Sequence, residues 1–286
     1  MAKCLRPFSL PGVGVVPCGR CPNCRSNKRQ SWIYRLECEA RQYPLSLFVT
    51  LTYDDEHLPM ERIGSDLFAE EVPVVSKRDV QLFMKRLRRK YEDYKIRFFL
   101  TSEYGTENGR PHYHMILFGF PFTGKKAGDL LAECWQQGFV QAHPLTQREI
   151  SYTCKYMYEK SAIPSVLQDV KSAKPFMMCS RRPGIGYVWL SEYILDFYRK
   201  HPRSYVMSAH GLKQAMPRYF ADKLYDDDMK EFLKEFRSVF YSDLQVKGYN
   251  EFINMDARTR FLHDRMIIEM KEEYIKRAEA RLKSKK

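Results

Sequence analysis

Two histidines standing two residues apart at the head of an apolar run constrain this chain more than any other feature. The stretch is Glu103-Tyr-Gly-Thr-Glu-Asn-Gly-Arg-Pro-His112-Tyr-His114-Met-Ile-Leu-Phe-Gly-Phe120. On a strand, residues i and i+2 point to one face, so both imidazoles are placed to converge on one ion. Upstream, Arg97-Phe-Phe-Leu-Thr-Ser-Glu103 also reads as a strand. The connection from Tyr104 to Pro111 contains Asn108-Gly109 and has hairpin chemistry, although it is longer than a two-residue turn. Closing that hairpin brings Glu103 beside His112 and His114, and two imidazoles with a carboxylate suit a divalent cation that keeps positions open for substrate. The competing reading is a strand end that merely carries polar residues, since His-x-His arises easily by chance. The proline before the pair, the glutamate across the hairpin and the tyrosines downstream favour the metal.

At 286 residues, 44% of them hydrophobic, the chain is long enough for one large domain or for a catalytic domain with a smaller one. It contains no 18-residue apolar run, and Met1-Ala-Lys-Cys begins no secretory signal, so a soluble cytoplasmic protein without a membrane partner is expected. Lys and Arg number 48 against 35 Asp and Glu, a net charge of +13, which points to a polyanionic partner. The 19 tyrosines and 18 phenylalanines suit stacking on unpaired bases, or simply a large core.

Four of the eight cysteines cluster near the start: Cys4, Cys18, Cys21 and Cys24. The triplet spacing fits tetrahedral Zn²⁺ with Cys4 as the fourth ligand, and plain reduced thiols are the alternative. An iron–sulfur run would need another cysteine soon after Cys24, where position 28 is Lys. Cys38, Cys134, Cys154 and Cys179 stand alone, as small buried apolar groups do.

In chain order, Arg25 to Arg41 reads as an amphipathic helix and Leu45 to Tyr53 as a strand. Residues 56 to 75 read as a loop. Ser76 caps a helix that carries Val80, Phe83, Met84, Leu87 and Tyr91 on one face. Its other face, Lys85, Arg86, Arg88, Arg89 and Lys90, is either solvated or laid along a phosphate backbone. The strand from His112 to Phe120 is apolar on both faces, which predicts a central strand covered on each side. A short helix over 128–137 and a strand from Phe139 to Leu145 follow.

Thr146 is a good N-cap, and Gln147 to Lys160 is predicted helical until Pro164 forces an exit. Tyr152, Lys155, Tyr156 and Lys160 fall on one stripe of it. Tyrosines with an ammonium one turn away can serve as nucleophiles, because the cation favours phenolate. Alone, such a stripe reads equally as tyrosines packed on a sheet with lysines reaching outward. Ser180-Arg-Arg-Pro-Gly-Ile-Gly186 offers arginines and close backbone approach for phosphate, or is a structural loop. After Pro217 the pattern becomes helical, with one helix from about Asp226 and another over Ala257 to Leu282. Among the 286 residues there is no Gly-x-x-x-x-Gly-Lys-[Ser/Thr] loop, so a fused nucleotide-driven helicase is not expected.

Taken jointly, Phe48-Val-Thr-Leu-Thr-Tyr53, His112-Tyr-His114 and Tyr152-Thr-Cys-Lys155 resemble the motifs of HUH endonucleases. The sequence is more closely similar to replication initiators of gokushovirus-type microviruses, small single-stranded DNA bacteriophages. That similarity is carried by Pro17-Cys-Gly-Arg-Cys-Pro-Asn-Cys24, Glu103-Tyr-Gly105, Arg110-Pro-His-Tyr-His114 and Ser180 to Gly186. The resemblance implies an α+β fold: a central antiparallel sheet of about five strands flanked by helices, with an N-terminal Cys-rich segment and a helical C-terminal region. The expected divisions are 1–42, a catalytic domain over 43–216, and 217–286. It implies a rolling-circle initiator that nicks single-stranded viral DNA at the origin, dependent on Mg²⁺ or Mn²⁺ at Glu103, His112 and His114. Tyr152, assisted by Lys155, would hold the 5′-phosphate and free a 3′-hydroxyl for a host polymerase, with unwinding by a host helicase in the bacterial cytoplasm. Tyr156 matches the second tyrosine of two-tyrosine relatives and would rejoin the strand, although Lys160 stands one residue later than their second lysine. An HUH transposase or relaxase, or a zinc-dependent nucleic-acid-binding regulator without catalysis, are the alternatives.

Overall fold

A computed structural model describes residues 4–12, 14–64, 69–105, 109–156, 163, 167–168, 170–209, 211–230 and 233, apart from the Tyr156 side chain. The elements begin with β1 (Phe8–Leu10), β2 (Gly14–Val16), α1 (Pro22–Ala40), β3 (Leu47–Tyr53), β4 (Met60–Ile63) and β5 (Glu70–Pro73). Then come α2 (Lys77–Lys90), β6 (Arg97–Tyr104), β7 (Pro111–Phe118), α3 (Gly124–Trp135), β8 (Gly138–Pro144) and α4 (Gln147–Tyr156). The last are β9 (Met177–Cys179), α5 (Glu192–Lys200), β10 (Tyr205–Met207), β11 (Lys213–Ala215) and α6 (Arg218–Leu224). Two compact units result: Trp32–Leu190, and Met1–Ser31 with Ser191–Lys286.

The Trp32–Leu190 unit is built on a five-stranded sheet in the order β8-β3-β7-β6-β9, antiparallel throughout. This is the expected α+β architecture of a central sheet flanked by helices. Strand alternation sorts its residues into two cores. Leu47, Val49, Leu51 and Tyr53 of β3 share one core with Tyr113, Met115 and Leu117 of β7 and with α2 and α3. Phe48, Phe99, Ile116 and Phe118 face the other way, against Ile33 and Leu36 of α1 and Ile150 and Cys154 of α4. The β7 strand is thus central and covered on both faces, as its doubly apolar pattern predicts.

Ser76 caps α2, its side chain accepting from the Asp79 N–H, and Val80, Phe83, Met84 and Leu87 are buried. The basic face of α2 is not a uniform solvated or phosphate-binding surface. Arg86 donates to the Cys134 and Trp135 carbonyls, Arg88 to the Ile96 carbonyl and Ser180 Oγ, and Lys90 pairs with Glu133. These cations close the ends of neighbouring elements, where unsatisfied carbonyls need donors.

Two other expectations shift. Residues 56 to 75 contain the β4–β5 hairpin rather than only a loop; four-residue strands carrying Glu61, Arg62, Glu70 and Glu71 leave too short an alternation to read. Helix α1 begins at Pro22, three residues before the expected Arg25, because proline's fixed φ suits the first helical position. Cys38, Cys134 and Cys154 are buried as expected, while Cys179 is partly exposed.

The other unit holds the antiparallel pairs β1–β2 and β10–β11 with α5 and α6. Ser191 caps α5, and the Tyr225 hydroxyl bridges the backbone N–H and carbonyl of Arg203, each at 2.9 Å. Asp226 accepts from the Met229 N–H at 2.8 Å, the capping expected where the next helix begins. Beyond residue 230, Leu233 apart, the expected C-terminal helices lie outside the described residues. No described helix is long and apolar enough to cross a membrane.

Candidate active site

The site is the polar end of a sheet face whose other end is core. Register sets the rows of that face. The first, His143–Phe48–Ile116–Phe99–Cys179, is mostly apolar and lies under the helices. The next is Gln141–Thr50–His114–Thr101–Met177, and the last is Phe139–Thr52–His112–Glu103. The sequence therefore turns from hydrophobic to ligand-bearing within one turn of the pleat on four adjacent strands.

Glu103 lies directly opposite His112, and its Oε1 is 3.2 Å from His112 Nε2 and 2.8 Å from His114 Nε2. One donor atom from each of these three residues lies within 4.8 Å of the others, close enough to hold a metal ion. Burial alone would raise the Glu103 pKa; hydrogen bonds and charge from the two imidazoles outweigh it, holding the carboxyl below the usual range. His114 is fixed further by Thr50 Oγ1, 3.4 Å from Nδ1, and by stacking on Phe48 at 5.6 Å between ring centres. The donor set fits a hard or borderline divalent ion with free positions.

The hairpin closes as its sequence requires. The Gly105 N–H donates to the Arg110 carbonyl at 2.9 Å, and residues 106–108 lie outside the described chain. A Cβ at Gly105 would meet His112 Cε1 at 3.0 Å, so glycine there keeps room for the imidazole. Arg110 Nη1 donates to the Tyr53 carbonyl at 2.9 Å, and its other nitrogen pairs with Asp55, tying the hairpin to the end of β3. Asp54 is spent on His57, whose Nδ1 is 2.7 Å away, so neither aspartate belongs to the Glu103 cluster.

Helix α4 brings the tyrosine. A reciprocal cap starts it: Glu149 accepts from the Thr146 N–H at 2.9 Å and from its hydroxyl, while Thr146 Oγ1 accepts from the Arg148 N–H. Its seam on the sheet is Ile150, Thr153 and Cys154, all buried, with Thr101 Oγ1 reaching the Thr153 carbonyl at 3.5 Å. Tyr152 flanks that seam. It is 39% exposed, and its ring meets His114 edge to face at 5.1 Å and Phe48 at 6.2 Å. Lys155, one turn on, is buried rather than reaching outward. Tyr156 ends the described helix without a described side chain, and Lys160 lies outside the described residues.

Sequence reasoning missed three neighbours. Phe48 reads as core in the sequence, yet it contacts His114, Tyr152 and His143. Phe139 and His143 lie on the site face of the edge strand β8, with Phe139 67% exposed in the His112–Glu103 row. The alternation Phe139, Gln141, His143 was the available signal; only pairing with β3 shows which face it occupies.

In the other unit, Cys4, Cys18, Cys21 and Cys24 bring their sulfurs within 4.8 Å of one another, a second group that could hold a metal ion. Backbone N–H groups point at the sulfurs: Cys18 to Cys4 at 3.2 Å, Cys21 to Cys18 at 3.3 Å and Leu5 to Cys21 at 3.5 Å. Such donors stabilise thiolate. Bonds from the Arg20 and Cys21 N–H groups bring the Cys18 pKa down to about 6, whereas burial pushes Cys24 up to about 12.

Residues 46–161 match a family model for replication-associated proteins of the ORF2 type, a span that includes Glu103, His112, His114, Tyr152 and Lys155. Replication-associated protein ORF4 of Chlamydia phage 1 is 27% identical over 85% of this chain and 60% of its own length. Replication-associated protein VP4 of Bdellovibrio phage phiMH2K is 27% identical over 86% and 82%. Replication-associated protein ORF2 of Spiroplasma virus 4 is 26% identical over 77% and 71%. The chain thus spans less than two thirds of the Chlamydia phage protein that it matches. No solved structure matches it. The resemblance that the motifs carry therefore stands, and this chain is a relative of the replication-associated proteins of these small phages.

Proposed function

We propose that the Trp32–Leu190 unit is a nickase and strand-joining enzyme of single-stranded phage DNA, acting at a replication origin with Tyr152 as nucleophile. The observation that carries this reading is the Tyr152 ring, half in solvent and 5.1 Å from His114 of the Glu103–His112–His114 cluster. Tyr152 Oη attacks phosphorus, a phosphorus–oxygen bond to tyrosine forms, and the phosphorus–O3′ bond breaks. The phenol loses its proton and the departing 3′ oxygen gains one, leaving a 5′-phosphotyrosine link and a free 3′-hydroxyl. Attack by a 3′-hydroxyl on the same link runs the step backwards and rejoins the strand. A divalent ion, Mg²⁺ or Mn²⁺, held by Glu103, His112 and His114 would supply polarisation of the phosphodiester.

The residues of the chain do the rest. Phe48 and Thr50 fix His114, and Lys155 places a cation one helical turn from the phenol. Phe139, exposed in the same row as His112 and Glu103, offers a ring on which a base next to the scissile phosphate can stack. Tyr156 and Lys160 extend the stripe and would serve the second transfer. Host polymerase and helicase would then use and unwind the nicked strand, and Zn²⁺ in the four-cysteine group would be structural.

The test is a covalent-adduct assay with end-labelled single-stranded origin DNA and Mn²⁺ or Mg²⁺, the modified residue located by mass spectrometry. An adduct on Tyr152 that disappears with chelator, with His112→Ala and with Tyr152→Phe is expected. Full nicking by a Tyr152→Phe, Tyr156→Phe variant overturns the reading in favour of water activated at the metal.

A further inference from the structure

A second constellation lies at the opposite end of the sheet from Glu103. The last turn of α2, the start of β6 and the turn after β9 enclose a groove of about 710 Å³. Its cationic lining is Arg88, Lys95, Arg97, Arg181 and Arg182, with Glu92 the one acid, and Tyr94 is exposed on it. Arg97 is neutralised by Glu39, and both side chains are buried. Arg88 gives its donors to neutral acceptors, the Ile96 carbonyl and Ser180 Oγ. Lys95, Arg181 and Arg182 are exposed. Setting Glu92 against the four cations other than Arg97 leaves an excess of three positive charges in one groove.

The turn that presents the two arginines is built to stay in place. Ser180 N donates to the Phe98 carbonyl at 2.9 Å, and Ser180 Oγ accepts from the Phe98 N–H at 3.1 Å. Arg97 Nη2 donates to the Gly184 carbonyl at 3.1 Å, Arg35 Nε to the Ile185 carbonyl at 3.0 Å, and the Gly186 N–H to Glu39 at 2.6 Å. A core hydrogen-bond network thus holds the backbone from 180 to 186 and leaves two guanidinium groups in solvent, already ordered for a ligand. Burial of the Arg88 guanidinium and the nearby Arg97 charge both lower its pKa, as expected where cations crowd without enough anion.

We propose that this groove is a second, non-catalytic site for the phosphodiester backbone of single-stranded DNA. Arg181, Arg182 and Lys95 contact phosphate, and Tyr94 stacks a base. From Arg97 to Glu103 along β6 is six residues, about 20 Å at roughly 3.4 Å each, so the site would hold the strand well away from the nick. The inference rests on DNA being the partner, but on neither the metal nor the tyrosine.

The test uses the full chain without divalent ion, reading anisotropy of labelled single-stranded DNA across a salt series. One oligonucleotide is about 8 nucleotides and the other about 30, the longer spanning both ends of the sheet. The variant is Lys95→Ala, Arg181→Ala, Arg182→Ala, with Lys85→Ala, Lys125→Ala, Lys126→Ala as the charge-matched control. On the long strand the groove variant should bind about 10- to 100-fold more weakly at low salt, with a log–log salt slope shallower by about 2, from about 0.7 per lost phosphate contact. Its short-strand affinity and adduct yield should match the parent, and the control should leave the long-strand slope in place. An unchanged long-strand affinity, an equal loss on both lengths, or the same loss in the control overturns the proposal. Should the parent form no adduct at all, the nickase reading fails while the binding comparison still decides this one.

Discussion

Replacing Glu39 with alanine isolates what one buried carboxylate does for the catalytic unit. Glu39 and Arg97 are 1% and 5% exposed, and the same carboxylate accepts the Gly186 N–H at 2.6 Å. Removing it leaves the Arg97 guanidinium in the interior without its counter-charge, which costs about 3–5 kcal/mol. The orphaned Gly186 N–H adds to the loss, but not additively, because one group serves both partners. Helix α1 itself is not weakened, since alanine is the better helix former. About 4 kcal/mol is the working figure. The chain's three tryptophans, Trp32, Trp135 and Trp189, all lie within Trp32–Leu190, so their emission reports unfolding of that unit alone. At a urea slope of about 2 kcal/mol per molar, the midpoint should fall by about 2 M. A Glu39→Leu, Arg97→Met variant, which removes both charges, should regain more than half of the loss. A fall below about 0.5 M in Glu39→Ala would refute the reasoning, because the ion pair would then be worth no more than a surface pair.

Gly105→Ala should displace His112, whose Cε1 the new methyl meets at 3.0 Å, raising the Mn²⁺ concentration needed for adduct formation several-fold; an unchanged metal dependence rejects the steric reading. Phe139→Ala should weaken binding of short single strands about 10-fold, from about 1–3 kcal/mol of lost stacking, while the urea midpoint stays put because the ring is on the surface. The four-cysteine group should carry one Zn²⁺ per chain by elemental analysis, and Cys24→Ser should remove it. Because the thiols must lose protons to bind, uptake should release protons and weaken as pH falls, most steeply below the Cys18 value of about 6; retention of Zn²⁺ at about pH 4 contradicts thiolate ligation.

Much of the catalytic unit was legible because its signals are local and periodic. Ser76 before an apolar 3.6-residue stripe gave α2, and two opposed apolar alternations gave the central β7. The Glu103–His112–His114 cluster was legible for the same reason: a hairpin fixes who sits opposite whom, and Glu103 pairs with His112 directly. What escaped was set by contacts distant along the chain. The α2 cations read as a phosphate-binding face, yet Arg86 and Arg88 end on carbonyls that only folding brings near. Likewise, no period in the sequence announces that Glu39 and Arg97, 58 positions apart, share one buried network.

That network explains why the two ends of the sheet differ in chemistry. On one face of β6 the side chains run Arg97, Phe99, Thr101, Glu103, a cation at one end and a carboxylate at the other. The cation is buried against α1 and used to hold a turn; the carboxylate is left at the rim beside two imidazoles. Had the register slipped by one residue, all four would have moved to the opposite face, beneath α2 and α3. The apolar middle, Phe99 against Ile116 and Phe48, forbids that slip by burying its rings under α1 and α4. Core packing and metal-site geometry are therefore one constraint, and substitutions at Phe48 or Phe99 should disturb His114 as surely as substitutions beside it.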